Sequence, residues 1–119
     1  AFCTMMLNKG RHPAGRVLSR PSVELMTTDQ LTAQQKADNA VFFEGNSGWG
    51  LGVGVITRRD DLASVPGRFG WSGGTGTSVY TDPSEDLIGI LLTQREMGSP
   101  TPQPWFRDFW TTAYQAIDD

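Results

Sequence analysis

The chain has 119 residues, enough for one domain that buries about two thirds of its unfolded surface. Only 19% of the residues are charged and the net charge is −3, so no basic face is on offer to a phosphate backbone and nucleic-acid binding is not expected. No apolar run approaches the ~20 residues that span a bilayer, and one cysteine (Cys3) with one histidine (His12) supplies neither an internal disulfide nor a metal-ligand set.

In chain order, Phe2, Met5 and Met6 recur at helical spacing up to a stop at Gly10, with Cys3 as a small buried helix residue. No capping Ser, Thr, Asp or Asn precedes this helix, which reads as the middle of a longer protein. Arg11-His12-Pro13-Ala14-Gly15 predicts a turn. Ser19-Arg20-Pro21 then opens a short helix to about Thr27, with Ser19 as the cap and Val23 and Met26 facing inward. Residues 29–46 are polar and lack a clear period, so a surface loop is expected, with a turn of helix around Thr32 to Ala37. A loop of that length suits a lid or site wall.

From Gly48 the pattern alternates, with Trp49, Leu51, Val53 and Val55 on one face of a strand and Gly48, Gly50, Gly52 and Gly54 on the other. Close packing of another element on the bare face is the favoured reading of these glycines. Their spacing is not G-x-G-x-x-G, no helix follows, and no P-loop lysine exists, so no nucleotide cofactor is expected. Two more strands follow, Gly76 to Thr81 and Leu87 to Thr93, joined by the turn Asp82-Pro83-Ser84-Glu85-Asp86. Leu87-Ile88-Gly89-Ile90-Leu91-Leu92 is apolar on both faces and predicts a central strand. After the proline-rich linker around Pro100–Pro104, a last helix carries Trp105, Phe106, Phe109, Trp110, Ala113, Ala116 and Ile117 on its apolar side. The sum is an α+β fold, one domain over 1–119, with about three antiparallel strands flanked by helices.

The richest stretch for function is Arg68-Phe69-Gly70-Trp71-Ser72-Gly73-Gly74-Thr75-Gly76-Thr77-Ser78-Val79-Tyr80. Gly70-Trp71-Ser72-Gly73-Gly74 spells the G-x-S-x-G nucleophile elbow, which needs a following helix and a downstream histidine. Strand formers follow instead, and His12 lies far upstream.

Trp71-Ser72-Gly73 followed by Gly74, at a strand end and before a strand closing on Tyr80-Thr81-Asp82-Pro83, resembles the third motif of the serine β-lactamase and penicillin-binding-protein superfamily. Leu18-Ser19-Arg20-Pro21-Ser22-Val23-Glu24-Leu25-Met26 and Gly48-Trp49-Gly50-Leu51-Gly52-Val53-Gly54-Val55 look like the esterase-like branch of the same superfamily, in the order of its C-terminal third. The resemblance implies an acyl-serine mechanism on a small acyl substrate, with the backbone N–H of Gly74 as an oxyanion donor. It further implies backbone room at Gly73, a hydroxyl from Ser72 for the substrate and a pocket wall from Trp71. An oxyanion donor is worth about 3 to 4 kcal/mol.

Ser19, Ser22, Ser47, Ser64, Ser72, Ser78, Ser84 and Ser99 all lack a lysine three residues on, and neither Tyr80 nor Tyr114 stands in Tyr-x-Asn. The nucleophile and its base are therefore expected upstream of Ala1, and the chain alone is expected to be inactive. Trp71 replaces the motif's usual lysine, which argues for uncharged esters over anionic β-lactams. The resemblance also implies that N-terminal strands cover the last strand. Without them an apolar edge stays open to self-association, and a non-catalytic binding or assembly module is the alternative.

Overall fold

Strand formers and turn residues dominate from Ser47 to Leu91, and in the computed structural model, which describes residues 1–43 and 45–118, this stretch forms the main sheet. Its strands are β3 (Ser47–Trp49), β4 (Gly54–Ile56), β5 (Phe69–Gly73), β6 (Thr77–Asp82) and β7 (Leu87–Leu91), joined as a simple antiparallel meander in that order. Before it come α1 (Phe2–Leu7), a small hairpin of β1 (Arg11–His12) and β2 (Gly15–Arg16), α2 (Arg20–Met26), α3 (Ala33–Asp38) and α4 (Ala40–Phe43); α5 (Pro104–Gln115) follows it. The architecture is α+β, as the composition of elements predicted.

Local rules account for most boundaries. α1 buries Met5 and Met6 but leaves Phe2 exposed and Cys3 half-buried, a narrower inward face than its spacing suggested. It stops where Lys9 and Gly10 take positive φ, and Gly10 is obligatory because a Cβ there would strike the Leu18 carbonyl. Ser19 caps α2 by accepting from the Ser22 amide at 3.1 Å, while Val23 is buried and Met26 packs against the same cluster. The expected turn at residues 11–15 is present inside the β1–β2 hairpin, with Arg11 opposite Arg16.

The 29–46 segment holds two short helices. Thr32 and Gln35 form a reciprocal capping box, with Gln35 N to Thr32 Oγ1 at 3.2 Å and Thr32 N to Gln35 Oε1 at 2.9 Å, which starts α3. Neither α3 nor α4 buries a residue.

Two expectations for the sheet are corrected. The single strand read from Gly48 to Val55 is a hairpin: Trp49 pairs with Gly54, Gly50 N donates to Val53 O at 2.8 Å, and Gly52 turns the chain at φ +89°. Glycines that looked like one bare face are in part turn residues, and with β5 this raises the main sheet to five strands. Close packing still explains two of them, since a Cβ on Gly48 would meet the Asp29 carboxylate and one on Gly50 the Met26 carbonyl at the end of α2. Second, β7 is an edge strand among the described residues, with Ile90 55% exposed and Leu92, just past its end, 76% exposed. Its two-sided apolarity belongs to a strand suited to full cover, but its outer edge has no neighbour here.

The sheet separates two cores. Phe69 pairs with Thr81 and Gly70 with Tyr80, so Phe69 and Tyr80 lie on opposite faces. Met5, Met6 and Val23 pack with Val55 and Phe69 on one face; Ala63, Val65, Trp110 and Tyr114 cluster with Tyr80 and Leu87 on the other. α5 turns Phe106, Trp110 and Tyr114 inward at four-residue spacing, leaving Ala116 and Ile117 exposed despite their place in the apolar pattern. Trp110 sits over Gly89, where a Cβ would collide with its ring. Each large side chain buried this way contributes roughly 1.5–3 kcal/mol.

Candidate functional site

The β5–β6 hairpin carries every site residue read from the sequence. Its turn, Gly73 to Gly76, closes with Gly76 N donating to Gly73 O at 3.0 Å, which leaves the Gly74 amide outside the turn's own hydrogen bond. The segment after β7 clamps the same turn: Met97 N donates to Gly74 O at 2.9 Å and Thr93 Oγ1 to Gly76 O at 2.6 Å.

Glycine is compulsory at the two ends of this stretch. A Cβ at Gly70 would strike Val79 O and Tyr80, and one at Gly76, φ +88°, would strike Arg95 O and Thr93. By contrast, a Cβ at Gly73 would make only an ordinary 3.5 Å contact with Thr77 Oγ1, and one at Gly74 would touch nothing. The bare backbone at Gly73–Gly74 is thus open, and the crowding lies at Gly70 and Gly76.

Ser72 is in the middle of β5 opposite Ser78, and β6 follows it, so the nucleophile elbow is not formed. Its Oγ lies 2.8 Å from Ser78 Oγ, which accepts from Trp110 Nε1 at 2.9 Å. The side-chain neighbours of Ser72 are the hydroxyls of Ser78 and Tyr80. His12 sits on β1 in the other sheet.

Beneath Ser72 lies a cluster the sequence did not single out. Arg68 is buried with its guanidinium carbon 4.2 Å from the Tyr80 ring centroid and 4.0 Å from that of Trp110, and its Nη1 donates to Ala63 O. Burial pulls the Arg68 guanidinium below its usual value and pushes the Tyr80 phenol up. Tyr114 Oη donates to buried Asp82 Oδ2 at 2.6 Å, while Asp82 Oδ1 accepts from Ser84 N at 2.9 Å and Ser84 Oγ at 2.6 Å. The signal available in the sequence was Arg68 flanking a strand, with Asp82 and Tyr114 far along the chain.

Trp71 is 39% exposed and meets Trp49 edge-on, the centroids 4.8 Å apart at 83°. Phe42 lies 6.4 Å from Trp71, and Phe43 6.4 Å from Trp49, so β3, β5 and α4 build one aromatic shelf. Phe42 and Phe43 were hidden in the segment read as a loop; the apolar run Ala40–Phe43 inside polar sequence was their signal. Asp29 holds that segment to the sheet by accepting from Trp49 N and Leu31 N, both at 3.1 Å, and pairing with Lys36. Burial pushes the Asp29 carboxyl up, but the Lys36 and amide hydrogen bonds together with the Lys36 charge outweigh it and hold the group below its usual value. A cavity of about 780 Å³ runs past Val41, Phe42, Trp71, Ser72, Tyr80 and Trp110. Among the described residues no three His, Cys, Asp or Glu side chains come together as a metal site.

The sequence is similar to known proteins. The chain is 42% identical over 103 residues to Protein Rv1367c of Mycobacterium tuberculosis strain H37Rv, and to the same extent to the Uncharacterized protein MT1414 of strain CDC 1551. Each match covers 78% of this chain and 25% of the relative, so the chain spans about a quarter of the length of the curated relatives it matches. The family model described as Beta-lactamase matches residues 5–108, from α1 through the start of α5 and across the whole β5–β6 hairpin. The chain therefore belongs to the beta-lactamase family, within the serine β-lactamase and penicillin-binding-protein superfamily.

Proposed function

We propose that this chain is the C-terminal part of an esterase-type serine hydrolase, supplying the substrate-facing strand and one oxyanion donor to a nucleophile carried elsewhere in the protein. The observation that carries this reading is the Gly73–Gly76 turn, whose Gly74 amide is left out of the turn's hydrogen bond beside a sterically open backbone. Acyl transfer needs such a donor where negative charge develops on the carbonyl oxygen. Gly73 gives the substrate room, Trp71 walls the pocket, and Ser72 presents a hydroxyl already tied to Ser78. No serine of the chain has a lysine three residues on, in keeping with a nucleophile from another part. Trp71 offers apolar surface where a lysine would attract a carboxylate, a charge-assisted contact of about 1.5 to 3 kcal/mol. The full-length protein should hydrolyse short p-nitrophenyl esters much faster than nitrocefin; the reverse ranking overturns the esterase assignment.

The exposed β7 edge favours a second reading, in which the chain assembles by strand pairing, with a second copy or with the rest of the hydrolase. A monodisperse monomer in sedimentation velocity would count against self-pairing.

A further inference from the structure

α4 consists of Ala40, Val41, Phe42 and Phe43 and buries none of them; Val41 is 53% and Phe42 44% exposed. A surface helix apolar at every position is unusual for a soluble face and marks contact with something apolar. That helix stands against the open side of Trp71, with the Phe42 and Trp71 rings tilted at 43° to each other. Of the charges near it, Lys36 pairs with Asp29, and Arg58 Nε donates to Gly45 O at 2.6 Å, while Asp60, Asp61 and Arg107 line the same cavity beyond the shelf. The side chains of the shelf itself, Val41, Phe42 and Trp71, carry no charge.

It also continues into the candidate site. Trp71 and Gly74 are three residues apart on one strand and its turn, about 10 Å of extended backbone. An octanoyl chain covers a comparable length. We propose that Val41, Phe42 and Trp71 form the binding shelf for a medium-length acyl chain whose ester carbonyl sits at the Gly74 amide. This rests on the esterase reading above and names its substrate class. An acetyl group is too short to touch the shelf, so the shelf discriminates by chain length.

The test uses the full-length protein with p-nitrophenyl acetate and octanoate, and octanamide as a non-ester ligand followed by tryptophan fluorescence. Octanoate should exceed acetate in kcat/KM by at least about tenfold, since each buried methylene favours binding several-fold. Phe42→Ala and Val41→Ser should each cut that ratio severalfold, while Val17→Ser, an exposed apolar residue away from the cavity, leaves it unchanged. Ester hydrolysis with a ratio indifferent to Phe42→Ala overturns the shelf and leaves the esterase reading standing. Saturable octanamide quenching that Phe42→Ala abolishes, without ester hydrolysis, supports the shelf and overturns the esterase reading. Absence of both overturns the two together. Unfolding of the full-length protein by both shelf substitutions shows the face to be covered by polypeptide and overturns the shelf.

Discussion

Two aromatic clusters flank the β5–β6 hairpin, and they are built on opposite terms. Under α5, Arg68, Tyr80, Trp110 and Tyr114 are packed against Ser78 and Asp82, and the indole N–H and the Tyr114 hydroxyl each have a partner. Beside α4, Phe42, Trp49 and Trp71 meet ring to ring, and Phe42 and Trp71 stand partly open to solvent. Arg68 Nε is buried without a partner, but the indole and phenol donors would lose theirs in any other arrangement, which commits the first cluster to this one. Exposed rings carry no such obligation and remain available to a ligand. The hairpin is thus held from one side and left accessible on the other, as the proposed oxyanion role of Gly74 would require.

The contrast predicts a graded series. The largest effect belongs to Trp110→Ala, which empties the space over Gly89, removes the ring stacked on Arg68 and leaves Ser78 without its indole partner. It should destabilise by about 3–5 kcal/mol in urea unfolding of the full-length protein. A loss below about 1 kcal/mol would mean that α5 does not anchor the hairpin. Next is Gly74→Pro. Proline suits the second position of a turn and a Cβ there touches nothing, so the substitution deletes the amide hydrogen with little strain. On the proposed esterase reading the full-length protein should lose about 10²–10³-fold in kcat, with melting nearly unchanged; unchanged kcat would remove Gly74 from the oxyanion role.

Tyr114→Phe leaves a buried Asp82 oxygen short of a donor and should cost about 1–3 kcal/mol by the same unfolding measurement. Phe42→Ala is the counterpart on the open side, expected to change stability by no more than about 0.5 kcal/mol, which sharpens the contrast if Tyr114→Phe is costly. The smallest effect is acid dependence at Asp29. Its folded pKa lies below the unfolded one, so its stabilisation is complete above the unfolded value near 3.8 and is lost as pH falls through the lower folded value. Lys36→Met should weaken that dependence and loosen the 29–46 segment, seen as faster amide exchange at Trp49 in acid; an unchanged acid profile would show that the pair contributes nothing.

How much of this was legible in the chain varied with the range of the interaction. The Ser19 cap, the Gly10 stop, β6, β7 and α5 follow from spacing and capping rules that act within a turn or two of chain. The β3–β4 hairpin did not, because alternating glycine and apolar residues satisfy a strand and a glycine-rich turn equally until Trp49 finds Gly54. Trp71, Ser72, Gly73 and Gly74 were legible as a group, and the structure keeps them on one hairpin. It also separates their surroundings: Ser72 bonds to Ser78 under Trp110, Trp71 joins the shelf, and Gly74 stands clear.

The sequence by itself determined the α+β class and the position of the glycine-rich hairpin, because periodicity and a run of small residues are properties of neighbouring positions; the family followed from the resemblance of its motifs and the family-model match. Only the tertiary structure decided which side of that hairpin is locked and which is open. Trp110 reaches Ser78 and Tyr114 reaches Asp82 across 32 residues each, and Phe42 reaches Trp71 from a separate helix. Contacts at that range leave no local periodicity to read, since they depend on how α4 and α5 come to rest on the sheet.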